Sequence, residues 1–179
     1  MDKNILSVRE MQYEDIKLII DYWMHADENF LHAMGADKHK LPSRDEWQSM
    51  LENQLTQSYR EKQSYCITWL EDGVPIGHSN VNKIVFGEEA FMHLHIWKKA
   101  LRQKGAGKAL VLMTLPFFFY RLELKTLYCE PYALNPAPNR TLEKTGFVFV
   151  RNYTTIPGSI NFEQPVNRWQ LTRETFLTL

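Results

Sequence analysis

The stretch RQKGAGKAL, Arg102–Leu110, joins the apolar, histidine-bearing run FMHLHIW (Phe91–Trp97) to a second apolar run, VLMTLPFFFY (Val111–Tyr120). The first run reads as a strand and the second as a helix, so the stretch is a strand-to-helix joint. A tight joint of this kind leaves the first N–H groups of the helix without partners, and the helix dipole adds partial positive charge there. Glycines at 105 and 107, with Ala106 between them, let backbone approach a ligand closely. Arg102, Lys104 and Lys108 add flanking charge. The combination suits a diphosphate. It is not a Walker loop, because Gly107-Lys108 is followed by Ala109, nor a dinucleotide fingerprint, because residue 110 is leucine. Standing alone, it also reads as an ordinary basic turn.

Working outward, three strands precede the joint: SYCITWLE, PIGHSNVNKIVF and EAFMHLHIW, separated by turns at Asp72-Gly73 and Gly87-Glu88. Further upstream, ILSVRE alternates like a short strand. Ile16, Ile19, Ile20 and Trp23 recur at helical spacing over about Tyr13–Met24. The segment His25–Pro42 has no clean period and reads as a loop or broken helix. Ser43 lies three residues before Glu46, the capping-box spacing, and opens a second helix. Downstream of the joint, a helix from about Ala106 to Arg121 or Leu122 is expected to bend at Pro116. TLYCEP is a fifth strand, APNRTLEKTGF a short helix closed by Gly146, and FVFVRNYTT and NRWQLT two final strands. The order is strand, two helices, three strands, helix, strand, helix, two strands, which is a mixed α/β domain.

Composition agrees with one folded unit. The chain has 179 residues, 44% of them hydrophobic and 13% aromatic, enough for a core of its own. Its 21 Lys and Arg balance 21 Asp and Glu, so no basic field favours nucleic acid. No apolar run is long enough for a membrane span, and MDKNILSVRE lacks the apolar centre of a signal peptide, which points to the cytoplasm. Cys66 and Cys129 each sit in an apolar strand-like run and read as reduced core thiols, with no metal site implied.

R-x-x-G-x-G from Arg102 to Gly107, after the fourth strand and before a helix, resembles motif A of the GNAT acyltransferase superfamily. NPAPNRTLEKTGF, Asn135–Phe147, is similar to that superfamily's later segment, in which an asparagine precedes a short helix ending in x-GF. The LEKTGF ending is closest in style to the ribosomal-protein alanine acetyltransferase branch. The resemblance spans nearly the whole chain, residues 1–179 as one domain. It implies the GNAT fold, a central mixed sheet of about seven strands flanked by about four helices. It also implies acetyl-CoA as cofactor, CoA as product, and transfer of the acetyl group to a primary amine of a small molecule or a protein N-terminus. On that basis the backbone of Gln103, Lys104, Gly105, Ala106, Gly107 and Lys108 would hold the pyrophosphate, with Arg102 framing the loop. The strand end at Ile96 and Trp97 would face the pantetheine arm, Asn135 would touch the pantetheine or acetyl end, and Asn139 is a second candidate. A homodimer is the family's common habit. A CoA-binding sensor without turnover is the alternative reading.

Acetyl transfer needs a neutral amine, a donor for the developing oxyanion and a proton for the departing thiolate. A backbone N–H near Ile96, where the family strand bulges, suits the oxyanion. His93 and His95 alternate on one face of the fourth strand, and an ordinary imidazole pKa of about 6.5 suits a general base. His93 falls where the resemblance places one of two strand histidines of the arylalkylamine acetyltransferases; the other position is Phe91. Glu130, ending the fifth strand, is the third candidate base. The tyrosine that many relatives use as acid is replaced by Leu142, leaving Tyr128, Tyr132 or water. Neither cysteine is placed as an acyl carrier, so direct transfer in a ternary complex is expected. The acceptor site is expected from His25–Lys40, from His78, Asn80 and Asn82, and from Ile156–Val166. Asp27, Glu28, Asp37 and Glu163 are there to attract a cationic amine.

Overall fold

A computed structural model describes residues 4–98, 100, 102 and 105–179. Seven strands, β1 (Leu6–Glu10), β2 (Ser64–Glu71), β3 (Val74–Val85), β4 (Glu89–Ile96), β5 (Thr126–Cys129), β6 (Val148–Thr155) and β7 (Gln164–Thr172), form one sheet in the order β1-β2-β3-β4-β5-β7-β6. All neighbours are antiparallel except β4 and β5. The helices are α1 (Tyr13–Met24), α2 (Glu28–Ala33), α3 (Arg44–Thr56), α4 (Ala106–Pro116), α5 (Pro136–Glu143) and α6 (Arg173–Phe176).

The strand β2 shows why the sheet is covered on both faces. Tyr65, Ile67 and Trp69 enter one core with Leu115, Phe118 and Phe119 behind α4. Cys66 enters the other, with Ile16, Ile19, Ile20 and Leu51 of α1 and α3. Side chains two apart share a face, so a continuously apolar strand must feed two layers. Polar groups between the sheet and its covering helices are paired in two places. Trp69 Nε1 donates to Thr114 Oγ1 over 2.8 Å, and Thr68 Oγ1 donates to Asp15, which also binds Arg9.

Local chemistry sets the joints. Asp72 and Gly73 both take positive φ, as the two-residue hairpin between β2 and β3 requires. Ser43 and Glu46 close the expected capping box on α3. The helix expected to run on past a bend at Pro116 instead changes type there: α4 stops at Pro116 and a π-helical turn, Phe117–Arg121, continues it and buries Phe118 and Phe119. The segment expected as loop or broken helix contains α2, capped by Asp27, and a 3₁₀ turn at Lys38–Lys40. With α6 near the end of the chain, the described residues contain six α-helices rather than about four. No helix among the described residues is long and apolar enough to cross a membrane.

The feature that shapes the site is the partial pairing of β4 with β5. Their parallel ladder covers only Glu89–Phe91 against Thr126–Tyr128, and β5 ends at Cys129. From Met92 to Ile96, β4 runs on against β3 alone. The expected bulge near Ile96 is absent from the β3–β4 ladder, where Gly77 pairs Ile96; the register shift lies at Asn82–Val85. Gly77 makes the close pairing possible, because a Cβ there would stand 2.4 Å from the His95 carbonyl oxygen.

Candidate active site

A cleft of about 390 Å³ opens where β4 leaves β5 and runs back between α1 and α3. His93, His95, Glu130, Asn135 and Tyr132 line it, together with Asn80 and Asn82 of β3. Two segments close over it. Asp37 N donates to the Ile160 carbonyl over 2.8 Å, and the Gly35 carbonyl accepts from both Asn161 Nδ2 and Gln164 Nε2. The expected acceptor segments therefore meet at the cleft. The four acidic residues expected among them do not line it. Asp27 and Asp37 cap α2 and the 3₁₀ turn, while Glu28 and Glu163 are exposed.

The three histidines are in distinct settings. His78 is buried, and its Nδ1 accepts a 2.8 Å hydrogen bond from Trp97 Nε1. An indole N–H can only donate, so His78 is held neutral with its proton on Nε2. Burial, reinforced by His93, pushes it down to about 3. His95 stacks on His78 with ring centroids 4.8 Å apart, meets Trp23 edge-on and contacts the Tyr22 hydroxyl at 3.3 Å from Nδ1. Burial, then His78, His93 and Arg102, drive it well below the usual imidazole value. His93 has one side-chain partner, Asn82 Oδ1 at 3.2 Å, which places the proton on Nε2 and leaves Nδ1 basic. Burial and the Lys83 cation push it down to about 4, while Glu130 pulls the other way.

Glu130 is already engaged. Arg168 Nε donates to its Oε1 over 2.6 Å, and the Tyr153 hydroxyl donates to the same oxygen. Arg168 and Tyr153 are also joined, at 2.9 Å. Of the three base candidates, His93 thus has the least committed side chain. Tyr132 is at the cleft wall, whereas Tyr128 packs against Phe91 and Leu142 is in the core. Cys129 lines the cleft, but burial pushes its thiol up, as it does that of Cys66.

At the far end of β4, Arg102 holds the strand terminus: Nε donates to the Ile96 carbonyl over 2.9 Å and a terminal nitrogen to that of Trp97 over 3.2 Å. Its guanidinium also covers the Phe30 ring at 4.1 Å. The α4 N-terminus begins at Ala106, and its N-cap, Gly105, has φ +82° and no side chain to satisfy the first N–H groups. A Cβ at Gly105 would meet nothing within 4 Å, so the approach to those donors is open. Lys108 is exposed on the first turn. Gln103 and Lys104 lie outside the described residues. These features fit an anionic ligand running from α4 along the free edge of β4.

Asn135 caps α5 through Ala137 N at 3.3 Å and lines the cleft. Asn139 does something the sequence did not suggest. Its amide donates to the Tyr132 and Asn135 carbonyls, and its Oδ1 accepts from Asn167 Nδ2 and Trp169 Nε1, both at 2.9 Å. It is not on the cleft wall. Sequence reasoning also missed Arg168, Tyr153 and the bond from Trp97 to His78, all of which join residues far apart along the chain.

The family model for the acetyltransferase (GNAT) domain matches residues 6–148. The fold is similar to that of a spermidine N-acetyltransferase from Vibrio cholerae solved with CoA and spermine. That likeness has a TM-score of 0.78 and 19% identity, and covers 96% of this chain and 98% of that one. An aminoglycoside acetyltransferase solved with coenzyme A and kanamycin is similar at TM-score 0.74 and 17% identity, over 97% and 98% of the two chains. A Bacillus halodurans protein described as uncharacterized is similar at TM-score 0.70 and 18% identity, over 98% and 88%. No curated protein sequence matches the chain.

Proposed function

This chain belongs to the acetyltransferase (GNAT) domain family, and from that premise we propose that it moves an acetyl group from acetyl-CoA to the primary amine of a small molecule. The observation that carries the reading is the free edge of β4 beyond Phe91, running between the open α4 N-terminus and His93. Bound acetyl-CoA supplies the acetyl group as a thioester; the amine nitrogen takes it, and the thiolate leaves as thiol after gaining a proton.

The chain's own residues do the rest. The first-turn N–H groups of Gly105–Lys108, which no side chain caps, hold the pyrophosphate, and Arg102 fixes the strand end beside them. His93 Nδ1 takes the proton that the attacking nitrogen loses, directly or through water. Glu130 favours the imidazolium that results, and Arg168 and Tyr153 keep that carboxylate in place. The segments tied together over the cleft by Asp37–Ile160 and Gly35–Gln164 leave it bounded, which favours a small acceptor over a polypeptide end. Both solved acetyltransferases named above carry small amines.

The test is titration calorimetry with CoA, followed by thiol release from acetyl-CoA over a panel of amines. Micromolar CoA binding that weakens about tenfold in Gly105→Ala supports the reading, since only glycine adopts that backbone at no cost. Folded protein that binds no CoA would remove it.

A further inference from the structure

The cleft is electrically silent. Among the described residues that line it, Glu130 alone carries a formal charge, and Arg168 neutralises it at 2.6 Å. No lysine, arginine or aspartate among the described residues is on the wall. The inner end, between α1 and α3, is apolar and flat-sided. Trp23 and Trp47 stack there with centroids 6.1 Å apart, beside Ile19 and Leu51.

Two polar groups interrupt that apolar end: Trp47 Nε1, which is buried and has no hydrogen-bond partner among the described residues, and the side chain of Gln54. Gln54 is 6% exposed and lines the cleft, yet outside the helix's own bonds only its backbone carbonyl is engaged, by Lys62. Its side-chain amide has no partner among the described residues. A nearly buried amide that faces a cleft unpaired is a recognition element, because leaving it unmatched costs free energy.

We propose that the acceptor is a monoamine with a flat apolar body and one uncharged hydrogen-bonding group read by Gln54, and that polycationic amines are rejected. This rests on the acetyl-transfer reading for the fate of the amine, but not for the shape and charge of the cleft. A second ammonium brought into this space would lose its hydration and find no unpaired anion, which is a heavy penalty. The reacting nitrogen escapes that penalty because it must be neutral to attack. The histidines report the same environment: desolvation holds all three of them well below their ordinary values. It lowers a bound amine's pKa in the same way, and so raises the share of reactive free base.

The experiment measures binding of three probes, phenylalaninamide, phenethylamine and spermidine, to the CoA-saturated protein at fixed ionic strength, and then kcat/KM by thiol release. Phenylalaninamide is expected to bind at least about tenfold more tightly than spermidine, with kcat/KM in the same order. Gln54→Leu should erase the advantage of phenylalaninamide over phenethylamine. Gln54→Glu should raise kcat/KM for spermidine about tenfold relative to phenylalaninamide. Spermidine binding as tightly as the monoamines, or none of the three binding, overturns the proposal. A protein that binds no CoA sinks the transfer reading instead; the probe affinities of the CoA-free protein then still judge the cleft.

Discussion

Arg168 Nε lies 2.6 Å from Glu130 Oε1, in a pair whose carboxylate side chain is only 6% exposed. The pair joins β7 to the end of β5, across the opening of the cleft. Removing one partner strands a buried charge, whereas removing both does not. Arg168→Met is therefore expected to lower unfolding free energy by about 3 kcal/mol, and the double variant with Glu130→Leu to recover most of the loss. Urea denaturation of the two single variants and the double variant reads this directly; additive losses would show that the pair is not the unit.

His93 and His95 share a face of β4 but differ in their partners, and activity should separate them. His93→Gln is expected to lower kcat by about 100-fold or more, the range of a lost general base, with the CoA affinity unchanged. His95→Gln breaks the stack on His78 and the contact with Tyr22, so its larger effect should be on melting temperature. Because His93 is pushed down to about 4, the acid limb of kcat/KM, corrected for the amine's own ionisation, should fall below pH 5 rather than near 6.5. A limb at 6.5 that persists in His93→Gln would assign the base elsewhere.

Stability should respond to acid through the same groups. His78 and His93 have folded-state values of about 3 and about 4, below an unfolded value of about 6.5. Between those limits the unfolded chain binds more protons, so stability rises with pH across the window. The contribution is complete above about pH 6.5 and is lost as pH falls towards 4. Melting curves from pH 7 to 4 should show a steeper decline for the native sequence than for His78→Asn. Equal slopes would mean that His78 takes up its proton alike in the folded and unfolded states.

Direct transfer predicts that neither thiol carries the acetyl group. Both cysteines are buried and held as thiols by desolvation, so neither offers a nucleophilic thiolate. Incubation with acetyl-CoA and no acceptor should leave the intact mass unchanged, and Cys129→Ala should keep kcat within about threefold. A mass increase of one acetyl group that disappears in Cys129→Ala would replace this mechanism with a two-step one.

Much of this was legible in the chain because it is local. The Ser43–Glu46 box, the Asp72-Gly73 turn, the glycine-bearing joint before α4 and the alternation of β2 each involve residues within a few positions of one another. The α2 helix was missed although its cap, Asp27, is plain once seen, because six residues give too little period to read. What the sequence could not show is long-range pairing. Trp97 on His78, Arg168 on Glu130 and Gln164 on Gly35 are separated by 19, 38 and 129 positions, and nothing local marks them as partners. The acidic residues near the cleft in sequence stay off its wall for other reasons: Asp27 and Asp37 cap local turns, and Glu28 and Glu163 face solvent.

Asn139 decides between a cofactor contact and a clamp. Its side chain donates to the carbonyls of Tyr132 and Asn135 and accepts from Asn167 and Trp169, which ties the start of α5 to β7. An amide offers two donors and two acceptor sites, so these four bonds use all its capacity. Replacing it with leucine keeps the volume but leaves the Trp169 indole N–H and two backbone carbonyls short of partners. The expected cost is about 2–4 kcal/mol, from several part-buried groups left unmatched together. CoA affinity, measured well below the melting temperature, should change less than about threefold, because none of the four bonds involves the α4 terminus or the free edge of β4. The converse pattern, intact stability with CoA binding weakened tenfold or more, would move Asn139 to the cofactor site and require one of its four bonds to open when CoA arrives.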